Sequence, residues 1–136
     1  MARPRRTRTE DYLAAIEQVC RESGKDRAPT GAIARLTGVT KGTASSVLRE
    51  LAADDLVDLV RYEGAALTQS GLRRVAAIQR RLRLIELFLN VSLGLDGADA
   101  RDEAWLLEPC VSVRLATLIE QRLDYPDIDF FGRPIP

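Results

Sequence analysis

The chain has no histidine among its 136 residues. That removes the commonest general base and the commonest nitrogen ligand for transition metals. Its two cysteines, Cys20 and Cys110, are far apart in sequence. They make neither a disulfide framework nor a pair at zinc spacing, and each reads as a small core residue. No glycine-rich loop is spaced to cradle a phosphate. Acidic neighbours such as Asp54 and Asp55 read as solvated charge. No catalytic constellation remains, and the chain reads as a non-enzyme. No apolar run is long enough to cross a bilayer, and Met1-Ala2-Arg3-Pro4-Arg5-Arg6 is not followed by the apolar segment of a secretory signal. The expectation is a cytoplasmic protein with no membrane partner.

Net charge is also missing: 20 basic residues balance 20 acidic ones. The balance conceals an asymmetry. Residues 1–50 hold ten basic and six acidic side chains, whereas residues 87–136 hold four and nine. The basic end suits a polyanion, because phosphate neutralisation supplies most of the affinity of a nucleic-acid binder.

What is present is organised around residues 30–68. Thr30 is expected to cap a short helix with Ile33, Ala34 and Leu36 on its apolar side. Gly38-Val39 breaks it. Thr40 caps a second helix that buries Val47, Leu48 and Leu51 and turns Lys41, Thr43, Ser45, Ser46 and Arg49 outward. Leu56 to Val60 reads as a strand, Tyr62-Glu63-Gly64 as a turn, and Ala65 to Thr68 as the return strand. Two short helices around a glycine turn, followed by a hairpin, make a winged helix-turn-helix. Base contacts are expected from Thr40, Lys41, Thr43, Ser45 and Ser46. Arg49 is expected on phosphate, and Gly42 allows close approach. Side chains this small read bases weakly alone, so duplex shape contributes. Glu63 at the wing tip disfavours deep insertion beside phosphate.

Ahead of this stretch, Arg3, Arg5, Arg6 and Arg8 form a basic arm suited to phosphate or the minor groove. Thr9 is expected to cap a helix to about Ser23, with Leu13, Ile16 and Val19 as its core stripe and Gly24 as its stop. After it, a long helix should run from Thr68 to Gly94. Residues 96–101 read as a loop. A further helix is expected from Asp102 to about Leu123, with Ala104, Leu107, Val111, Leu115, Leu118 and Leu123 on one side. These two helices are more apolar than one small domain needs, so pairing with a second copy is expected to bury the surplus. The fold class is mainly α: a DNA-binding domain over 1–70 and a helical dimerisation domain over 71–136, acting as a homodimer on double-stranded DNA.

The order of parts resembles one family. A helix opening T-E-D-Y-L, a winged helix-turn-helix ending L-T-x-x-G, the run R-R-L-R-L-I-E-L-F-L, a D-E-A-x-x-x-E segment and a final G-R-P-I-P are similar to the diphtheria-toxin-repressor (DtxR/MntR) family of metal-responsive repressors. The resemblance implies a homodimer on a palindromic operator, controlled by Fe(II) or Mn(II). It places the family's metal ligands on Asp11, Ala14, Leu82, Trp105, Glu108 and Pro109, and ancillary ligands on Glu86 and Arg101. Only Asp11, Glu86 and Glu108 could still ligate, as vestigial candidates, and borderline metals are selected by imidazole and complete shells. The expectation is therefore no cofactor, a regulator independent of or weakly responsive to Fe(II) and Mn(II), and an apolar latch of Leu82, Trp105 and the first helix. The alternative is a sensor of another signal: redox through Cys20 or Cys110, a small effector, or Mn(II) or Fe(II) at a rearranged site of Asp11, Glu108 and Cys110. Arg101 is expected to pair with Glu86.

Overall fold

The computed structural model describes residues 8–129 and 132–136; the arginines expected at positions 3, 5 and 6 lie outside them. The chain divides into two compact units, Arg6–Val75 and Ala76–Pro136. The fold is mainly helical, with one two-stranded antiparallel sheet.

In the first unit, α1 (Thr9–Ser23) is closed not by Thr9, which is its first helical residue, but from one residue earlier. The Arg8 backbone N–H donates to Asp11 Oδ2 at 2.8 Å. The acid three residues into the helix thus takes over the N-terminal role. Tyr12, Leu13, Ala15 and Ile16 are buried, and Val19 packs beside them. α2 (Thr30–Thr37) is likewise capped one residue earlier than expected, at Pro29, with Thr30 as its first helical residue. Pro29 holds φ −62°, and its carbonyl accepts the N–H groups of Ala32 and Ile33. A proline set at that angle can start a helix without a capping side chain. Ile33 and Ala34 are buried, but Leu36 is 47% exposed, so it does not belong to the core side. Gly38 ends α2 at φ +72°, a left-handed conformation that favours glycine.

α3 (Lys41–Ala53) is capped by Thr40, whose Oγ1 accepts the Thr43 N–H at 3.1 Å. It buries Ala44, Leu48 and Leu51. β1 (Val57–Val60) and β2 (Gly64–Leu67) pair with Val57 opposite Leu67 and Val60 opposite Gly64. Ala28 adds a third rung, exchanging both backbone hydrogen bonds with Ala65 at 2.8 and 3.0 Å. Gly64 sits at φ +100°, and a Cβ there would stand 2.2 Å from the Ala28 carbonyl oxygen. Only glycine permits both that angle and that approach. Arg27 secures the same corner, donating to the Asp58 carbonyl at 2.9 Å and pairing with the Asp58 carboxylate.

α4 (Gln69–Leu93) opens where Thr68 accepts the Gly71 N–H and donates to the Asp55 carbonyl. Its later part packs the second unit's core: Leu84, Ile85 and Leu89 meet Ala100, Ala104, Val111 and Ile119. The single helix expected from Asp102 to Leu123 is instead two. α5 (Gly97–Leu107) starts inside the expected loop, because Asp96 accepts the Asp99 N–H at 2.8 Å and caps it early. It stops at a 3-10 turn, Glu108–Cys110. Pro109 lacks an N–H and clashes with the preceding turn, so the α-helix cannot continue through it. Ser112 then caps α6 (Val113–Arg122). The break rotates the later positions: Ile119 is buried, whereas Val113, Leu115 and Leu118 are exposed, as is Leu107 just before the break. The C-terminal segment folds back on itself through the bridge between Ile128 and Pro134.

Candidate nucleic-acid interface and the carboxylates of the second unit

The outward side of α3 carries the residues that the sequence assigns to DNA. Thr40, Lys41, Gly42, Thr43, Ser46 and Arg49 are exposed, and Ser45 is half-buried. Thr40 Oγ1 also donates to Thr43 Oγ1 at 3.0 Å, so this pair is occupied with the helix start. The Arg49 guanidinium donates from Nη1 to Ser45 Oγ and from Nη2 to Ser46 Oγ, both at 3.2 Å.

Between α3 and the hairpin lies a cleft of about 730 Å³, bordered by Lys41, Ser45, Arg49, Leu59, Arg61 and Tyr62. Its three charged side chains are all cationic. Tyr62 holds φ +67° and is 92% exposed, and the Arg61 guanidinium lies 4.9 Å from its ring centre. Sequence reasoning weighed Glu63 at this turn and passed over Arg61 and Tyr62. The signal available was an aromatic beside a cation in a strand-to-strand turn, a pair suited to a nucleic-acid surface.

Of the three carboxylates singled out for metal, Asp11 belongs to the first unit, where it accepts the Arg8 N–H and lies 3.9 Å from the Arg8 guanidinium. Glu108 in the second unit is fully buried and receives Arg81 Nη2 at 3.1 Å. Glu86 is buried as well, and its cation is not the expected Arg101. Arg133, from the G-R-P-I-P ending, donates Nη2 to Glu86 Oε2 at 2.9 Å. Arg133 also grips Asp129, through Nε to Oδ2 at 2.6 Å and its backbone N–H to Oδ1 at 2.8 Å. Burial pushes the Glu86 carboxyl above its usual range, against the opposite pull of Arg133 and then Arg101. Arg101 therefore acts on Glu86 by charge. Each buried glutamate is thus neutralised by a guanidinium, and among the described residues no three His, Cys, Asp or Glu side chains group closely enough to hold an ion. The donor set does not fit a ready-made transition-metal shell.

Cys20 is not prepared for redox signalling. Cys20 lines a shallow cleft, and burial, with Asp26 and Glu17 nearby, pushes its thiol up and away from thiolate. Cys110 is exposed on the 3-10 turn. No described helix is long and apolar enough to cross a membrane.

Comparison with known proteins places these features. Residues 68–136 match the family described as "Iron dependent repressor, metal binding and dimerisation domain". Transcriptional regulator MntR of Escherichia coli O6:H1 is 34% identical over 108 residues, 79% of this chain and 68% of that protein. A manganese-dependent transcriptional repressor in complex with manganese superposes with TM-score 0.83 at 40% identity, over 95% of this chain and 58% of that one. ScaR with bound Zn2+ superposes with TM-score 0.82 at 32% identity, over 95% and 59%. The chain thus spans under two thirds of those solved chains. These relatives correct the expectation of no cofactor: the matching family is described by its metal binding, and the similar solved proteins carry manganese and zinc. The missing imidazoles were an insufficient ground for it.

Proposed function

Because this chain belongs to the diphtheria-toxin-repressor (DtxR/MntR) family, we propose that it is a transcriptional repressor that binds a palindromic operator in double-stranded DNA as a homodimer. The observation that carries the reading is the outward side of α3. A capped helix presents hydroxyls, a glycine and two cations, Lys41 and Arg49, beside a hairpin that adds Arg61. A helix of this kind enters the major groove with its N-terminal residues toward the base edges. Thr40, Lys41, Thr43, Ser45 and Ser46 are assigned to that role, with Gly42 allowing close approach.

The second unit supports the dimer. Leu107, Val113, Leu115 and Leu118 are 41, 76, 45 and 51% exposed, an apolar surface that a second copy would remove from water. A two-fold pair would carry two recognition helices about 34 Å apart, one duplex turn, matching half-sites of a palindrome. In the domain assignment that follows, residues 1–70 bind DNA and 71–136 dimerise. The family makes a divalent transition ion the expected cofactor. Since the carboxylates described above do not form a prepared shell for it, the reading is built on the chain's own side chains.

Gel-shift titration over a range of salt tests the proposal. Binding should weaken linearly in log–log form as phosphate contacts are lost. A flat salt response, or a monomer by sedimentation at micromolar concentration, would overturn it.

A further inference from the structure

Three observations on α3 converge on Arg49. Its guanidinium forks across two neighbouring hydroxyls, Nη1 to Ser45 and Nη2 to Ser46, each at 3.2 Å. A guanidinium has five donors and no acceptor, so it can take only lone pairs from these oxygens. Two helical threonines turn back on their own helix, Thr37 donating to the Ile33 carbonyl at 2.8 Å and Thr117 to the Val113 carbonyl at 2.9 Å, whereas Ser70 in α4 accepts a single arginine nitrogen, Arg73 Nη2, at 3.2 Å. Among the described residues, Ser45 and Ser46 make no such back-bond, so their hydroxyl hydrogens are not consumed inside the helix.

We propose that Arg49 is a specificity-determining positioning residue, one that holds Ser45 and Ser46 with their hydroxyl hydrogens turned outward as donors, so that α3 selects base edges rich in acceptors. In the major groove these are guanine O6 and N7, adenine N7 and thymine O4; the amino groups of cytosine and adenine are donors and are disfavoured. This inference rests on the DNA-binding reading and refines it. It replaces a phosphate anchor with a residue that acts through two others. A serine alone discriminates poorly because its hydroxyl rotates to suit either partner. Fixing the rotor converts an indifferent contact into a reader.

The experiment compares the full chain with Arg49→Lys, Arg49→Ala, Ser45→Ala/Ser46→Ala, and the triple variant Ser45→Ala/Ser46→Ala/Arg49→Lys. The probes are a duplex selected by the natural chain from a random-sequence library and a scrambled duplex of equal length. Arg49→Lys keeps the charge and loses the fork. It should leave the salt slope unchanged while lowering the selected-to-scrambled affinity ratio about tenfold, the scale of one lost base readout. Guanine replaced by 7-deazaguanine in the selected duplex should weaken the natural chain more than Arg49→Lys. The triple variant should lose no more selectivity than the serine pair alone, since Arg49 acts through those hydroxyls. Arg49→Ala should lower selectivity to the same extent as Arg49→Lys. If Arg49→Lys retains full selectivity, or if Arg49→Ala only weakens both duplexes equally and reduces the salt slope by about one, Arg49 is a phosphate anchor and the proposal is wrong. If the natural chain shows no preference for any selected duplex, it is the DNA-binding reading that fails. Melting curves of every variant should overlay, since all three side chains lie on the outer side of α3; a variant that melts early has its selectivity difference assigned to folding and counts against the proposal.

Discussion

Replacing Arg133 by methionine would test how the C-terminal segment is held. The change keeps the length of the side chain and removes its donors. Glu86 then loses its 2.9 Å partner while its own side chain remains 8% exposed. Asp129, whose side chain is fully buried, loses both guanidinium contacts and keeps the backbone N–H of residue 133 at 2.8 Å, so both carboxylates lose their cation. Removing one member of a fully buried ion pair costs about 3–5 kcal/mol. Arg133 is 42% exposed, so water partly replaces it, and about 2–3 kcal/mol is expected at neutral pH. The loss should depend on pH in a defined sense. Burial already raises the Glu86 carboxyl above its ordinary 4.5. A folded-state value above the unfolded one means that the folded chain binds the extra proton between the two, so this group's contribution falls as pH rises through that window. Without Arg133 the carboxyl rises further. The part of the Arg133→Met penalty that comes from Glu86 is therefore smaller at pH 4 than at pH 7. Urea unfolding at both pH values, at one fixed protomer concentration, reads the difference. A loss below about 0.5 kcal/mol at pH 7, typical of a surface substitution, would refute the reasoning. So would an equal loss at both pH values, which would point to packing.

Three further outcomes follow from the first unit. Gly64→Ala places a Cβ against the Ala28 carbonyl and strains a positive φ; a loss of about 3 kcal/mol or more is expected from the two effects together, and a melting shift equivalent to under 1 kcal/mol would show that the hairpin yields freely. Thr40→Ala removes the α3 cap and should cost about 1 kcal/mol, with Thr40→Ser restoring most of it; equal urea midpoints for all three chains would contradict the capping assignment. Glu63→Lys adds a second cation to the hairpin turn beside Arg61 and should steepen the salt dependence of DNA binding by about 0.9 in log–log slope. An unchanged slope would mean that this turn does not approach phosphate.

The elements that were legible in the sequence are those whose cause is local. Thr40 caps α3 and Gly38 ends α2 because each acts on residues within one turn. The hairpin was read from apolar-rich runs on either side of Tyr62-Glu63-Gly64. Where a local signal was overridden, the competing local signal was stronger and was undervalued. Pro29 starts α2 in place of Thr30, and Pro109 divides what helical spacing joined, although a proline inside a periodic run is the plainest stop available. What could not be read is of another kind. Arg133 meets Glu86 across 47 positions, and spacing carries no information at that separation. Arg101, nearer in sequence and of the same charge, was the reasonable choice; it acts on Glu86 through its charge, while Arg133 makes the 2.9 Å bond. The leucines of α6 expose a related limit. Leu115 and Leu118 recur at helical spacing as surely as Leu48 and Leu51 do, yet the first pair is half-exposed and the second buried. Periodicity identifies which residues must leave water but not whether their own chain or another copy covers them. The same reasoning applies to the cofactor. A residue count shows which ligands are missing, but only the relatives show which chemistry the fold is built to carry, and a buried carboxylate held by an arginine looks, in sequence, the same as one waiting for an ion.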